Sequence, residues 1–158
     1  MNNYLKMEIS ALGENGTFVR NAVSAFALPL NPTLSELSDV KTAVSEAITN
    51  SIVHGYKNAK RVEDKIVIEC QIEGDEQGGF LHIRVVDYGC GRADTQKAIE
   101  PFFTTLENEE HSGMGFTVMQ TFTDEFSLES SVGEGTVVCM RKIIGKKANG
   151  NVGRKNDD

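Results

Sequence analysis

The chain has 158 residues, with 23 Asp and Glu against 16 Lys and Arg and a formal net charge of -7. That length fits one domain with a single substantial core. The acidity argues against binding nucleic acid through its phosphates, which requires a surplus of Lys and Arg. No apolar run approaches the roughly 18 residues of a membrane span, and the opening "MNNYLKMEIS" lacks the apolar stretch of a secretory signal. A soluble, cytoplasmic protein with no membrane partner is expected. Cys70, Cys90 and Cys139 are odd in number and lack C-x-x-C spacing, so they read as reduced thiols.

In chain order, "YLKMEIS" reads as a strand, and residues 14–28 as a helix burying Phe18, Ala22, Val23 and Phe26. Pro29 and Pro32 interrupt the chain. Ser35 or Ser38 then caps a long helix running to about His54, with Gly55 as its stop. Val40, Val44, Ile48 and Ile52 make its core stripe. In "KIVIECQI", Ile66, Ile68, Cys70 and Ile72 alternate with Val67, Glu69 and Gln71, the period of a strand with one buried face. "EGDEQGG" supplies a turn, and "FLHIRVVD" places Leu81, Ile83 and Val85 inward. A short helix follows near residues 94–99, another at "GMGFTVMQTF", then "FSLES" and "TVVCMRK" as a hairpin around "VGEG". Helices early and strands late predict an α+β fold, a two-layer α/β sandwich with helices on one face of a mainly antiparallel mixed sheet. Its other face is left to solvent or a partner. Residues 1–145 form the single domain and 146–158 a disordered tail.

Four stretches carry candidate chemistry, and each also has a plain structural reading. Glu46, Asn50 and His54 follow one another at helical spacing, roughly opposite the core stripe. A solvated face normally recruits cations, yet no Lys or Arg lies between Lys41 and Lys57. Ala43, Ala47, Ser51 and Val53 flank these positions with small or apolar groups. In "VVDYGCG", Asp87 ends the inward row of its strand, where a carboxylate needs donors to hold it, and Gly89 and Gly91 follow. Such a carboxylate can accept from an exocyclic amine such as that of adenine. "HSGMGF" sets Gly113 and Gly115 before a helix, where free N–H groups favour phosphate. In "VGEGT", Thr136 shares inward parity with Val138 and Met140.

The order E-x-x-x-N, D-x-G-x-G, G-x-G, G-x-G-T between Glu46 and Thr136 resembles the GHKL ATPase and kinase superfamily with its Bergerat nucleotide-binding fold. The resemblance implies ATP or ADP and Mg²⁺ as ligands. It implies that Asn50 ligates Mg²⁺, that Asp87 binds the adenine amine, and that Gly89 and Gly91 shape the pocket. It further implies that Gly113 and Gly115 border the phosphates beside a lid over residues 101–112, and that Thr136 supports the adenine end. Thr104, Thr105 and Ser112 are polar lid positions able to touch phosphates or simply solvent. Many members have a glycine where this chain has His111, which leaves the lid's contacts open. Glu46 matches the general base of gyrase-like members, a group that histidine kinases lack. A free-standing module keeping that Glu, with "EAITNSIVHGY", "EPFFTT" and "GMGF", is most similar to the anti-sigma-factor serine kinases, the anti-sigma-F factors of spore-forming bacteria in particular. That implies a homodimeric protein-serine kinase that inhibits a sporulation sigma factor and phosphorylates a serine of an anti-anti-sigma partner. Arg20, the sole cation between Lys6 and Lys41, is either a solvated surface residue or a contact for an acidic partner patch. Two rivals remain: an ATP-gated binding module without phosphotransfer, and an ATPase piece of a larger machine.

Overall fold

The computed structural model describes residues 1–93 and 115–145. Strand β1 (Asn2–Ser10) leads into helix α1 (Asn15–Ala27), a short 3₁₀ turn (Leu28–Leu30) and helix α2 (Leu34–Asn50). A hairpin of β2 (Lys65–Asp75) and β3 (Gly78–Asp87) follows, then helix α3 (Gly115–Phe122) and a second hairpin of β4 (Glu125–Ser131) and β5 (Gly135–Ile144). The strands form one sheet in the order β1-β2-β3-β5-β4, and every pairing among the described residues is antiparallel. This is the expected α+β sandwich. The residue 94–99 helix and the tail after Gly145 fall outside the described residues.

Strand parity holds throughout the centre. Ile66, Ile68, Cys70 and Ile72 on β2, Leu81, Ile83 and Val85 on β3, and Val138 and Met140 on β5 all face the helices and are buried. Val40, Val44 and Ile48 of α2, with Ile52 just after it, meet them in one core cluster. Each large aliphatic chain in such a layer contributes about 2 kcal/mol relative to exposure. All three cysteines are free, and burial pushes the Cys70 thiol up to about 12.

Three local expectations need correction. Helix α1 buries Val19, Val23, Ser24 and Ala27, leaving Ala22 and Phe26 half-buried and Phe18 61% exposed. The i,i+4 line 19-23-27 is what packs, and Phe18 lies one residue off it. Helix α2 is capped by Thr33, not by Ser35 or Ser38. Its hydroxyl accepts from the Glu36 N–H at 3.1 Å while Glu36 accepts from the Thr33 N–H at 2.8 Å, a reciprocal capping box. The other Glu36 oxygen accepts from the Gly145 N–H at 3.1 Å, tying the start of α2 to the end of β5. Finally, α-helical geometry stops at Asn50. Ser51–Gly55 form a π-helical turn in which the Tyr56 N–H reaches back to the Ser51 carbonyl at 3.0 Å. One extra residue per turn moves His54 off the line of Glu46 and Asn50 and brings Gly55 toward β3.

Candidate functional site

Asp87 is the last residue of β3, paired with Ile66 of β2 and Thr136 of β5, and is only 2% exposed. Burial raises its pKa above the ordinary carboxylate value. The Gly89 N–H, the Ser51 side chain, the Thr136 amide and the Arg92 charge oppose that shift. The Gly89 N–H donates to Asp87 Oδ1 at 3.0 Å. A charged acceptor is thus held at the end of an apolar row, with capacity left for a donor from a ligand.

The surrounding backbone explains the glycines. A Cβ on Gly55 would lie 2.8 Å from Asp87 Oδ1, and one on Gly89 would lie 2.2 Å from the Gly55 carbonyl oxygen. The π turn and the loop after β3 therefore meet backbone to backbone. The Cys90 N–H donates to Gly55 O at 2.9 Å, and its thiol to His54 O at 3.1 Å. Gly91 has φ +61°, a left-handed conformation natural to glycine, and a Cβ there would meet Ser131 O at 1.9 Å. Tyr56 braces the same corner: its hydroxyl donates to Lys65 O at 2.5 Å and accepts from the Tyr88 N–H at 2.8 Å.

Thr136 is buried at the other wall, its Oγ1 2.9 Å from Ser130 Oγ. Ser130 donates to Gly135 O at 3.0 Å and accepts from the Arg92 N–H at 2.9 Å. With its one proton committed, Ser130 takes the Thr136 proton, leaving Thr136 an acceptor toward the pocket.

Glu46 and Asn50, one turn apart on α2, are both half-buried. A Cβ on Gly115 would lie 3.4 Å from Glu46 Oε2, so the first turn of α3 abuts that carboxylate. The structure therefore joins Glu46 to Gly115, and Asp87 to Gly55, Gly89 and Thr136. Thr104, Thr105, His111, Ser112 and Gly113 lie outside the described residues, as does the 101–112 segment. Arg20 is half-buried on α1.

Sequence reasoning missed Ser51, Gly55, Tyr56, Ser130 and Arg92 as site residues. "NSIVHGY" held the first three, but only the π turn turns Ser51 and Gly55 to Asp87. Among the described residues no cluster of three His, Cys, Asp or Glu side chains could hold a metal. A cation at Asn50 would have to share its ligands with phosphate oxygens, the usual habit of Mg²⁺. The buried acceptor Asp87 and its glycine-lined cradle fit a flat donor such as adenine.

The histidine kinase-like ATPase domain family matches residues 9–142. A Thermoanaerobacter (strain X514) protein named anti-sigma F factor is 47% identical, covering 90% of this chain and 95% of its own. The anti-sigma F factor of Geobacillus kaustophilus is 43% identical, covering 92% and 96%, and that of Clostridium beijerinckii 44%, covering 89% and 94%. The solved structure of the RsbU and RsbW domains of Rv1364c from Mycobacterium tuberculosis superposes with a TM-score of 0.64 at 19% identity. It covers 91% of this chain and 33% of that one, and shares the fold. On the family match and these relatives, the chain belongs to the histidine kinase-like ATPase family, among the anti-sigma F factors.

Proposed function

We propose that this protein binds ATP with Mg²⁺, inhibits a sporulation sigma factor, and transfers phosphate from ATP to a serine of an anti-anti-sigma partner. The observation that carries the reading is the buried Asp87 carboxylate, set among Gly55, Gly89 and Thr136. Glu46 on α2 abuts Gly115 at the start of α3. The names of the relatives support the anti-sigma part.

Asp87 accepts the adenine amine, with Gly89, Gly91 and Thr136 around it. Asn50 would hold Mg²⁺, which when bound would neutralise phosphate charge. Gly113 and Gly115, with Thr105 and Ser112, border the phosphates. Glu46 takes the proton of the incoming serine hydroxyl as its oxygen bonds to the γ-phosphorus. The bond from that phosphorus to the β–γ bridging oxygen breaks, and ADP leaves. Such chemistry is mostly positioning and charge neutralisation, and a general base contributes about a hundred- to ten-thousand-fold in rate.

Arg20 serves as a contact for an acidic partner patch. The protein acts as a homodimer in the cytoplasm; light scattering of the purified chain should return twice the monomer mass, and a monomer mass would contradict this. No helix among the described residues is long and apolar enough to cross a membrane. A second reading, a nucleotide-gated sigma-binding module without transfer, is favoured by the relatives' names, which mention sigma F and no kinase. Labelled ATP, the anti-anti-sigma protein and a Glu46→Ala control separate the two.

A further inference from the structure

Arg92 stands immediately after the D-x-G-x-G glycines, and no motif includes it. Its backbone is fixed by the N–H bond to Ser130 Oγ at 2.9 Å. Gly91, left-handed at φ +61°, sets the direction in which Arg92 leaves the loop. Its side chain crosses to α3, where the guanidinium carbon lies 5.1 Å from the ring centroid of Phe116. Phe116 is itself buried and packed on Phe126 with centroids 5.9 Å apart, so the platform under the guanidinium is rigid.

This cation is half-buried, and among the described residues its guanidinium makes no hydrogen bond or ion pair. Burial draws its pKa below the ordinary value, while Cys90 and Asp87 pull it back up. The arginines of the open sheet face have carboxylate partners by contrast: Arg84 and Arg141 pair with Glu69 and Glu125 at 2.8 and 2.6 Å. A guanidinium seated over an aromatic face can still present N–H groups in the planar fork that matches phosphate oxygens. Phe116 directly follows Gly115, which abuts Glu46. Arg92 therefore bridges from the loop of the base acceptor to the helix turn beside the general base, the span a nucleotide's phosphates must cross.

We propose that Arg92 is a further nucleotide-binding residue, whose guanidinium, mounted on Phe116, donates to the phosphate chain of ADP or ATP. The inference rests on the nucleotide site argued above. Its phosphate contact supplies a partly desolvated cation with an anionic partner that none of the described residues provides, and charge-assisted bonds of that kind are the strong ones.

The test is calorimetric binding of ADP, and of adenosine by competition, to the full chain and to Arg92→Met, which keeps an unbranched stem over Phe116. ADP affinity should fall about tenfold or more, with adenosine unchanged, and the salt dependence of ADP binding should flatten. Unchanged ADP affinity overturns the assignment. So does an equal loss for ADP and adenosine, which would put Arg92 on the base. Should Arg92→Met fail to fold, Arg92→Lys carries the same comparison: it retains charge but loses the fork, so ADP affinity falls by about threefold or more and adenosine holds. A wild-type chain that binds no ADP would sink the nucleotide reading itself, a result distinct from either failure of Arg92.

Discussion

Asp87 carries an unfavourable electrostatic balance. Burial raises its pKa, so the native state keeps the proton to a higher pH than the unfolded chain does. The ionised carboxylate then costs stability: the cost is absent below the ordinary carboxylate pKa and complete above the raised one. Asp87→Asn removes that cost while weakening a charge-assisted contact to the base. At pH 7 the unliganded variant should melt no lower than wild type, its advantage shrinking as the pH falls toward 4, while ATP affinity drops about tenfold or more. Differential scanning calorimetry across that range checks both signs; a lower melting temperature at pH 7 would mean the Gly89 and Ser51 contacts outweigh burial. Asp87 itself was legible from strand parity and the glycines behind it. Ser51 and Arg92 were not, because neither residue type nor spacing distinguishes a serine turned inward by a π turn or an arginine laid on a ring twenty-four positions away.

At the scale of elements, the entry to α2 shows how local chemistry sets long-range geometry. The signature Thr33-x-x-Glu36 is present in "TLSE", just ahead of the serines expected to cap the helix. Thr33 wins because Glu36 answers it, and the same carboxylate reaches Gly145 across the molecule. Thr33→Ala should cost about 1 kcal/mol, a fall of roughly 2–4 °C in melting temperature for a domain of this size. Nucleotide affinity should stay level, since the cap lies at the opposite end of α2 from Asn50. Chemical denaturation with a parallel ADP titration would expose any coupling. The strands were easier to read than the helices. Period-2 alternation in β2 and β3 leaves one choice of face, whereas α1 offered two plausible stripes, and its phenylalanines pointed to the wrong one. The π turn had no signal of its own, since a run such as "SIVHG" continues an α-helix just as well by propensity.

For the whole molecule, the helices cover one face of the sheet, and the opposite face is charged and networked. Glu69 there pairs with Arg84 at 2.8 Å, accepts from the Tyr4 hydroxyl at 3.1 Å and lies 3.9 Å from Lys6; Arg84 chiefly holds its carboxyl below the usual range. Exposed ion pairs of this sort add little stability. The proposed nucleotide site draws instead on α2, the loop after β3 and the start of α3. That placement explains why the motifs are scattered in sequence: each comes from a different element, and only the antiparallel order β2-β3-β5 brings Asp87 and Thr136 side by side. Their order along the chain was legible as a resemblance. Their meeting point required the fold.

In the proposed function, Glu46 turns a nucleotide pocket into a protein kinase. Purified protein should be mixed with γ-labelled ATP, Mg²⁺ and the anti-anti-sigma protein, alongside Glu46→Ala. The account predicts label on a serine of the added protein, with the rate falling about a hundredfold or more in the variant while ATP binding persists. Tight ATP binding without transferred label, or transfer that survives loss of Glu46, would contradict it.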